Sequence, residues 1–285
     1  MTDPLIACLQ QLKLSWMLDN HETELADAAR KSRSHHDLLL RLLTGELEAA
    51  QGRSVERRIS RARLPARRTL DTFDWHWPTV INREQIQHLF TLAFLRQRQN
   101  VVFIGTVGLG KTHLAIALAL EACQHNHSVL FTSAVDIINT LAQARQENRL
   151  GKAIRRYVAP TILAIDELGY LPVDRVGAEL LFQVLGARYE KGSTIITTNR
   201  PYKKWAKTFA NDATLASAVL DRVVHHCETV IIEGDSYRLK DRIAHGIDDI
   251  EVGDDEEQPT TRSRSTRRRR TDDTEARDDE KQGQP

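Results

Sequence analysis

Cysteine is scarce in this chain. Its three cysteines, Cys8, Cys123 and Cys227, are widely separated and show no metal-ligand spacing, so a reducing, cytosolic compartment is expected. No apolar run is long enough to span a bilayer and no signal peptide opens the sequence, which sets aside a membrane role. No internal repeat recurs. Net charge is almost nil, +1 over 285 residues, but the charges are segregated along the chain. His225-His226-Cys227 gathers metal-ligand residue types. Adjacent residues point in different directions on a helix or strand, so this run reads as structural.

What is present is enough chain for one good-sized α/β domain with appendages. Its organising stretch is Gly105-Thr106-Val107-Gly108-Leu109-Gly110-Lys111-Thr112, which fits the pattern of a glycine, four residues, then Gly-Lys-Ser/Thr. Val101 to Ile104 upstream is a short β-branched run that reads as a buried strand. His113 to Glu121 downstream is strongly helix-forming. Strand, loop and helix therefore follow in the order a phosphate-binding loop needs. Glycines let backbone N–H groups turn around a polyphosphate, and the helix N-terminus adds free donors. Lys111 supplies a point charge for the outer phosphates, and the Thr112 hydroxyl suits Mg²⁺. The loop predicts a nucleoside triphosphate and is silent about its use.

Residues 1 to about 70 are predicted to be helical. Asp3-Pro4 starts a first helix, Asn20 is placed to cap a second, and Ser34 with Asp37 a third. A fourth helical segment, Ser54 to Leu64, is rich in arginine. Arg53, Arg57, Arg58, Arg61, Arg63, Arg67 and Arg68 face only Glu56, which favours contact with phosphates or an acidic partner over a merely solvated face. Leu70 to Trp75 is a compact aromatic segment expected to pack onto the next domain as a hinge or collar. Asn82 with Gln85 caps a helix leading into the first strand. Strands are then expected at Ser128–Phe131, Thr161–Ile165, Ser193–Thr198 and Glu228–Ile232, alternating with helices. Such alternation implies a parallel sheet covered on both faces. Beyond Ile247 apolar residues nearly vanish, and the charged tail is expected to be disordered.

Thr161-Ile162-Leu163-Ala164-Ile165-Asp166-Glu167 supplies the second half of a site. A buried strand ends in two carboxylates at the edge where open α/β sheets bind ligands. Asp166 is placed to hold Mg²⁺ through water, and Glu167 to orient and deprotonate an attacking water. That pair argues against a small-molecule kinase, which must keep water out. Asn199, at the tip of Ser193–Thr198, suits a hydrogen bond to a γ-phosphate or lytic water. Arg222 and Arg238 have the chemistry to stabilise transition-state charge, although spacing alone also allows plain surface residues.

Six segments together resemble the IstB-type ATPases, the helper proteins of a class of bacterial insertion sequences and relatives of the helicase loaders within the AAA+ group. They are Gly110 to Ala115, Ile165 to Pro172, Arg188 to Glu190, Thr197 to Arg200, Leu220 to Arg222 and Ser236 to Lys240. The resemblance covers roughly Leu5 to Lys240 and is strongest from Phe103 onward. It implies an AAA+ P-loop fold with a central parallel sheet flanked by helices, preceded by a small all-α domain. It also implies ATP-dependent self-assembly on duplex DNA and partnership with an integrase-type transposase. Arg222 would reach a neighbouring subunit's ATP, with Arg188 and Arg200 as fallbacks, and Arg238 would sense nucleotide in its own subunit. Val107 and Leu109 stand where relatives often carry proline and threonine; neither position supplies a side-chain ligand.

The expected divisions are a helical partner or DNA-interaction domain over 1–68, an ATPase domain over 69–246 and a disordered tail over 247–285. The expected nucleotide contacts run from Gly105 through Thr106, Val107, Gly108, Leu109, Gly110, Lys111 and Thr112 to His113. Lys152, Arg155 and Arg156 are candidate DNA contacts. The expected function is ATP-dependent regulation of transposition by a cytoplasmic, DNA-bound homo-oligomer using Mg²⁺. Two rival readings share the motifs: a replicative helicase loader, and a DNA-binding scaffold in which ATP is structural glue. The Asp166-Glu167 pair argues against the scaffold.

Overall fold

The structure, a computed structural model, describes residues 3–237. Arg238 and the charged tail lie outside the described residues. The chain opens with α1 (Pro4–Gln11), α2 (Ser15–Arg30) and α3 (His35–Ala62). The Asp3 carboxylate accepts the Leu5 N–H at 2.8 Å, and Ser34 Oγ accepts the Asp37 N–H at 3.1 Å. Both are side-chain caps satisfying amides that a helix start leaves open.

Two helical expectations change. Asn20 starts no helix: α2 begins at Ser15, and the Asn20 side chain donates back to the Trp16 carbonyl at 2.8 Å. The third and fourth segments are one helix of 28 residues. Gly45 lies inside it because a Cβ there would fall 2.3 Å from the Trp16 ring, so glycine lets α2 and α3 approach closely. Arg63 ends α3 in the left-handed conformation, φ 58°, two residues before Pro65.

The strands are β1 (Val80–Ile81), β2 (Asn100–Ile104), β3 (Val129–Ser133), β4 (Ile162–Leu168), β5 (Ser193–Thr198) and β6 (Cys227–Glu233), ordered β1-β6-β2-β5-β4-β3. All pairings from β6 to β3 are parallel; β1 joins β6 antiparallel through Val80↔Glu233 and Ile81↔Ile232. β1 was not expected, since two residues carry no periodicity. Between the strands run α4 (Arg83–Phe90), α5 (Ala93–Arg96), α6 (Lys111–Gln124), α7 (Ala134–Gln146), α8 (Leu150–Val158), α9 (Arg175–Arg188), α10 (Trp205–Thr208) and α11 (Ala213–Val224).

Buried side chains alternate along β2. Val101 and Phe103 join a cluster with α4, α6 and the end of α3, whereas Val102 joins one with α7, α9 and α11. Both sheet faces are thus covered, as a parallel sheet requires. Ile59 and Ala62 carry α3 into the first cluster, so its arginine-rich half lies against the core.

Arg188 is 1% exposed. Its guanidinium donates to the carbonyls of Tyr157 (2.8 Å), Val158 (3.3 Å), Pro160 (2.9 Å), Thr161 (3.1 Å) and Ser193 (2.6 Å), and to Thr194 Oγ1 (3.2 Å). It closes the open C-terminus of α8 and ties it to the starts of β4 and β5. Burial pulls the guanidinium down to about 10, so it remains charged at neutral pH. This placement corrects its reading as a fallback for an arginine reaching a neighbour. Arg188→Met, which keeps the bulk and removes the donors, should cost about 3 kcal/mol or more of stability, because buried carbonyls lose their partners. Urea unfolding of the two proteins measures it.

Candidate functional site

β2 ends at Ile104 and the chain turns through Gly105–Gly110 into α6. Gly108 and Gly110 have φ of +84° and +82°, a left-handed backbone that side chains resist. Space is also closed there: a Cβ on Gly108 would lie 2.1 Å from Ser236 Oγ, and one on Gly110 2.7 Å from the Phe73 ring. The Gly105 N–H donates to the Thr198 carbonyl at 3.2 Å, which binds the loop to the end of β5. Lys111 Nζ donates to the Thr106 carbonyl at 2.6 Å. The Thr112 hydroxyl donates to Asp166 Oδ1 at 2.9 Å.

β4 runs further than its apolar residues. It continues to Leu168 with a register shift against β5 between Ile165 and Leu168. Asp166 and Glu167 occupy this irregularity, of the kind that re-aims side chains beside active sites. Glu167 has φ 60°, uncommon for a residue with a Cβ. Its N–H donates to Thr197 Oγ1 at 2.9 Å, and the Thr197 hydroxyl in turn donates to Asp166 Oδ1. Asp166 is half-buried beside Thr112, while Glu167 is exposed along the cleft. Asn199 follows β5; its Oδ1 is buried with no hydrogen-bond partner among the described residues, and it lines the same cleft.

The cleft is about 460 Å³. Loop residues 107–113, Glu167, Asn199, Phe73, Trp77 and Tyr237 line it. The Leu70–Trp75 segment docks on the first turn of α6. His113 Nε2 lies 2.9 Å from the Thr69 carbonyl and 3.3 Å from Thr72 Oγ1, and Phe73 packs edge-on against the His113 and Trp75 rings. Trp77 Nε1 donates to the Asp235 carbonyl at 2.7 Å, its ring meets Tyr237 edge-on at 5.6 Å, and the Tyr237 N–H donates to the Gly108 carbonyl at 3.0 Å. Trp77 and Tyr237 were missed as site residues. Their contact joins positions 160 apart in the chain, and no spacing rule reaches that far. The aromatic run before Trp77 was the available signal.

Other candidates sit elsewhere. Arg222 donates to the Ala218 carbonyl at 2.9 Å, and its guanidinium lies 4.5 Å from the Phe182 ring centroid. The Val223 carbonyl beside it accepts from Asn100 at 3.0 Å, so this end of α11 meets the start of β2, at the sheet edge opposite the loop. Arg200 Nε donates to the Gly169 carbonyl at 2.7 Å. Lys152, Arg155 and Arg156 are exposed on α8. His225 Nδ1 pairs with the Tyr189 hydroxyl at 3.2 Å, while Cys227, its thiol pushed up to about 11 by burial, faces Thr229. The His225 and His226 rings meet edge-on at 4.2 Å, and Cys227 turns to Thr229 instead.

Tight glycines and a hydroxyl–carboxylate pair suit a polyphosphate with a hard cation, and the Asn199 Oδ1, unpartnered among the described residues, suits a donor such as water. Thr112 Oγ1 and Asp166 are oxygen donors of the type Mg²⁺ takes beside phosphates. With its strand order and loop–helix junction, this is a P-loop NTPase fold of the AAA+ group. The family described as IstB-like ATP binding protein matches residues 7–245, and the chain belongs to it. A relative from insertion sequence IS21 of Pseudomonas aeruginosa, provisionally named an ATP-binding protein, is 40% identical over 84% of this chain and 90% of its own length. One from IS5376 of Geobacillus stearothermophilus, named in the same terms, is 38% identical over 81% and 92%. Among solved structures, the replication initiator DnaA bound to AMPPCP and single-stranded DNA matches with a TM-score of 0.51 at 20% identity, over 64% of this chain and 56% of that one; the likeness is one of fold.

The His113 contacts carry a conformational prediction. His113→Ala should speed amide exchange across Thr69–Trp77 about fivefold, the factor for roughly 1 kcal/mol of hydrogen bonding removed, and leave the strand amides unchanged. Exchange mass spectrometry reads both.

Proposed function

We propose that this protein is an ATP-hydrolysing helper of an insertion sequence that assembles on duplex DNA and recruits or activates the element's transposase. The observation that carries this reading is one cleft lined by Lys111, Thr112, Glu167 and Asn199, with Asp166 held behind it by the Thr112 hydroxyl, in a chain whose relatives are provisionally named as insertion-sequence ATP-binding proteins.

In this reading the amides of Gly105 to His113 cradle the triphosphate, and Lys111 turns from the Thr106 carbonyl to the outer phosphates. Thr112 and Asp166 hold Mg²⁺, which supplies charge neutralisation on the phosphate oxygens. Glu167, on the open side of the bulge, orients and deprotonates water. Asn199 Oδ1 accepts a hydrogen bond from that water. Arg222 lies away from its own cleft, which supports a role on a neighbour's nucleotide, and Arg238 is assigned to sensing in its own subunit. ATP then bridges copies of the chain, and bridging aligns their basic surfaces along DNA.

Those surfaces are proposed to be α8, with Lys152, Arg155 and Arg156, and the arginine-rich half of α3. Arg57, Arg61 and Arg63 are exposed there and have no ionic partner among the described residues. The helices of 1–68 are assigned to partner or DNA contact, 69–246 to the ATPase, and the protein to the bacterial cytoplasm.

Glu167→Gln should bind ATP and DNA within about threefold of the parent while turnover drops about a hundredfold or more, as for loss of a general base. Normal ATPase in that variant removes Glu167 from its role. Replacing Lys152, Arg155 and Arg156 with alanine should weaken duplex binding at all sequences and flatten the plot of log affinity against log salt by about 0.9 for each phosphate no longer neutralised. Fluorescence anisotropy over a salt series measures it; an unchanged slope clears α8 of a role on DNA.

A further inference from the structure

We propose that Thr197 is a positioning residue whose single hydroxyl sets both carboxylates at the end of β4. The inference deepens the hydrolysis reading above and rests on it for its kinetic part. Thr197 is 2% exposed and lies on β5, the strand that also leads to Asn199. A hydroxyl has one proton and two lone pairs. The Thr197 proton goes to Asp166 Oδ1, and one lone pair accepts the Glu167 N–H at 2.9 Å. One side chain thus grips two consecutive residues of the neighbouring strand, at the point where β4 slips register against β5.

The grip has two consequences. At a bulge the extra residue is unpaired in the ladder, and Thr197 Oγ1 takes the Glu167 amide in place of a strand carbonyl. This supports the backbone of Glu167 at φ 60°. Side chains alternate between sheet faces, so a one-residue slip sends a side chain to the other face. Relaxing the bulge would turn Glu167 away from the cleft. The second consequence concerns Asp166. Its Oδ1 accepts from both Thr112 and Thr197, so two hydroxyls from different elements hold the carboxylate in one pose. Thr112, Asp166, Thr197 and the Glu167 amide form one chain of hydrogen bonds from the phosphate loop to the backbone of the proposed base.

Valine matches threonine in shape and lacks both hydrogen bonds, alanine is a second hydroxyl-free replacement, and serine restores the hydroxyl. In the nucleotide-free full chain, Thr197→Val should speed amide exchange at Glu167 by about tenfold, with Thr197→Ser close to the parent. A fluorescent ATP analogue without Mg²⁺ should bind within about threefold, while the Mg²⁺ concentration for half-maximal tightening rises about fivefold or more. Turnover should fall about tenfold or more with KM nearly constant, and serine should recover most of it. Parent-like exchange at Glu167 in both the valine and alanine variants overturns the proposal, as does a serine variant as impaired as valine. If valine fails to fold, the alanine and serine variants decide. A parent protein that binds and hydrolyses no ATP sinks the hydrolysis reading instead, and the exchange comparison still judges Thr197.

Discussion

β2 lies between β5 and β6, and everything at the cleft follows from that position. Ile104, its last residue, pairs with Thr198 on one side and Ile231 on the other. The glycine loop therefore leaves the sheet between two parallel strand ends, and β4 lies one strand further out. All these strands point the same way, so the loop, Asp166, Glu167 and Asn199 emerge at one edge. Crossover helices of a parallel sheet leave that edge open to a ligand. An antiparallel placement of any of these strands would carry its polar tip to the far end.

Close packing then sharpens the edge. Ser236 and Phe73 occupy the space a side chain would need at Gly108 and Gly110, so the loop is shaped from outside as well as by its own glycines. The Leu70–Trp75 segment and Tyr237, beyond β6, also border the cleft, and Trp77 and Tyr237 join the two stretches. A shift in either would reach the loop, through the Phe73–His113 contact or the Tyr237–Gly108 hydrogen bond.

Away from the cleft, charge is organised by anchoring. Arg188 holds the end of α8 by carbonyls alone, so a buried cation supports a helix whose exposed face carries Lys152, Arg155 and Arg156. In α3, buried Glu46 accepts the Met17 amide at 3.0 Å and pairs with Arg53 at 2.7 Å, and Glu56 takes Arg67. These pairs leave Arg57 and Arg61 facing solvent without a counter-charge among the described residues. A near-neutral chain can therefore present cationic surfaces, because its acids are concentrated elsewhere in the sequence.

Local signals made much of this molecule legible. The glycine spacing, the apolar run before Asp166 and the caps at Asp3, Ser34 and Asn82 depend on neighbours within a few residues, so their meaning survives without a fold. The alternation of strand and helix carried the parallel sheet by the same logic. What stayed hidden depends on distant partners. β1 exists through Glu233, Arg188 is internal because α8 and β5 converge on it, and Thr197 matters only because β4 slips register beside it. The chain itself determined the chemistry available at each strand end. Tertiary packing alone decided which ends meet, since hydrogen bonds and van der Waals contacts between residues far apart in sequence form only when the sheet closes.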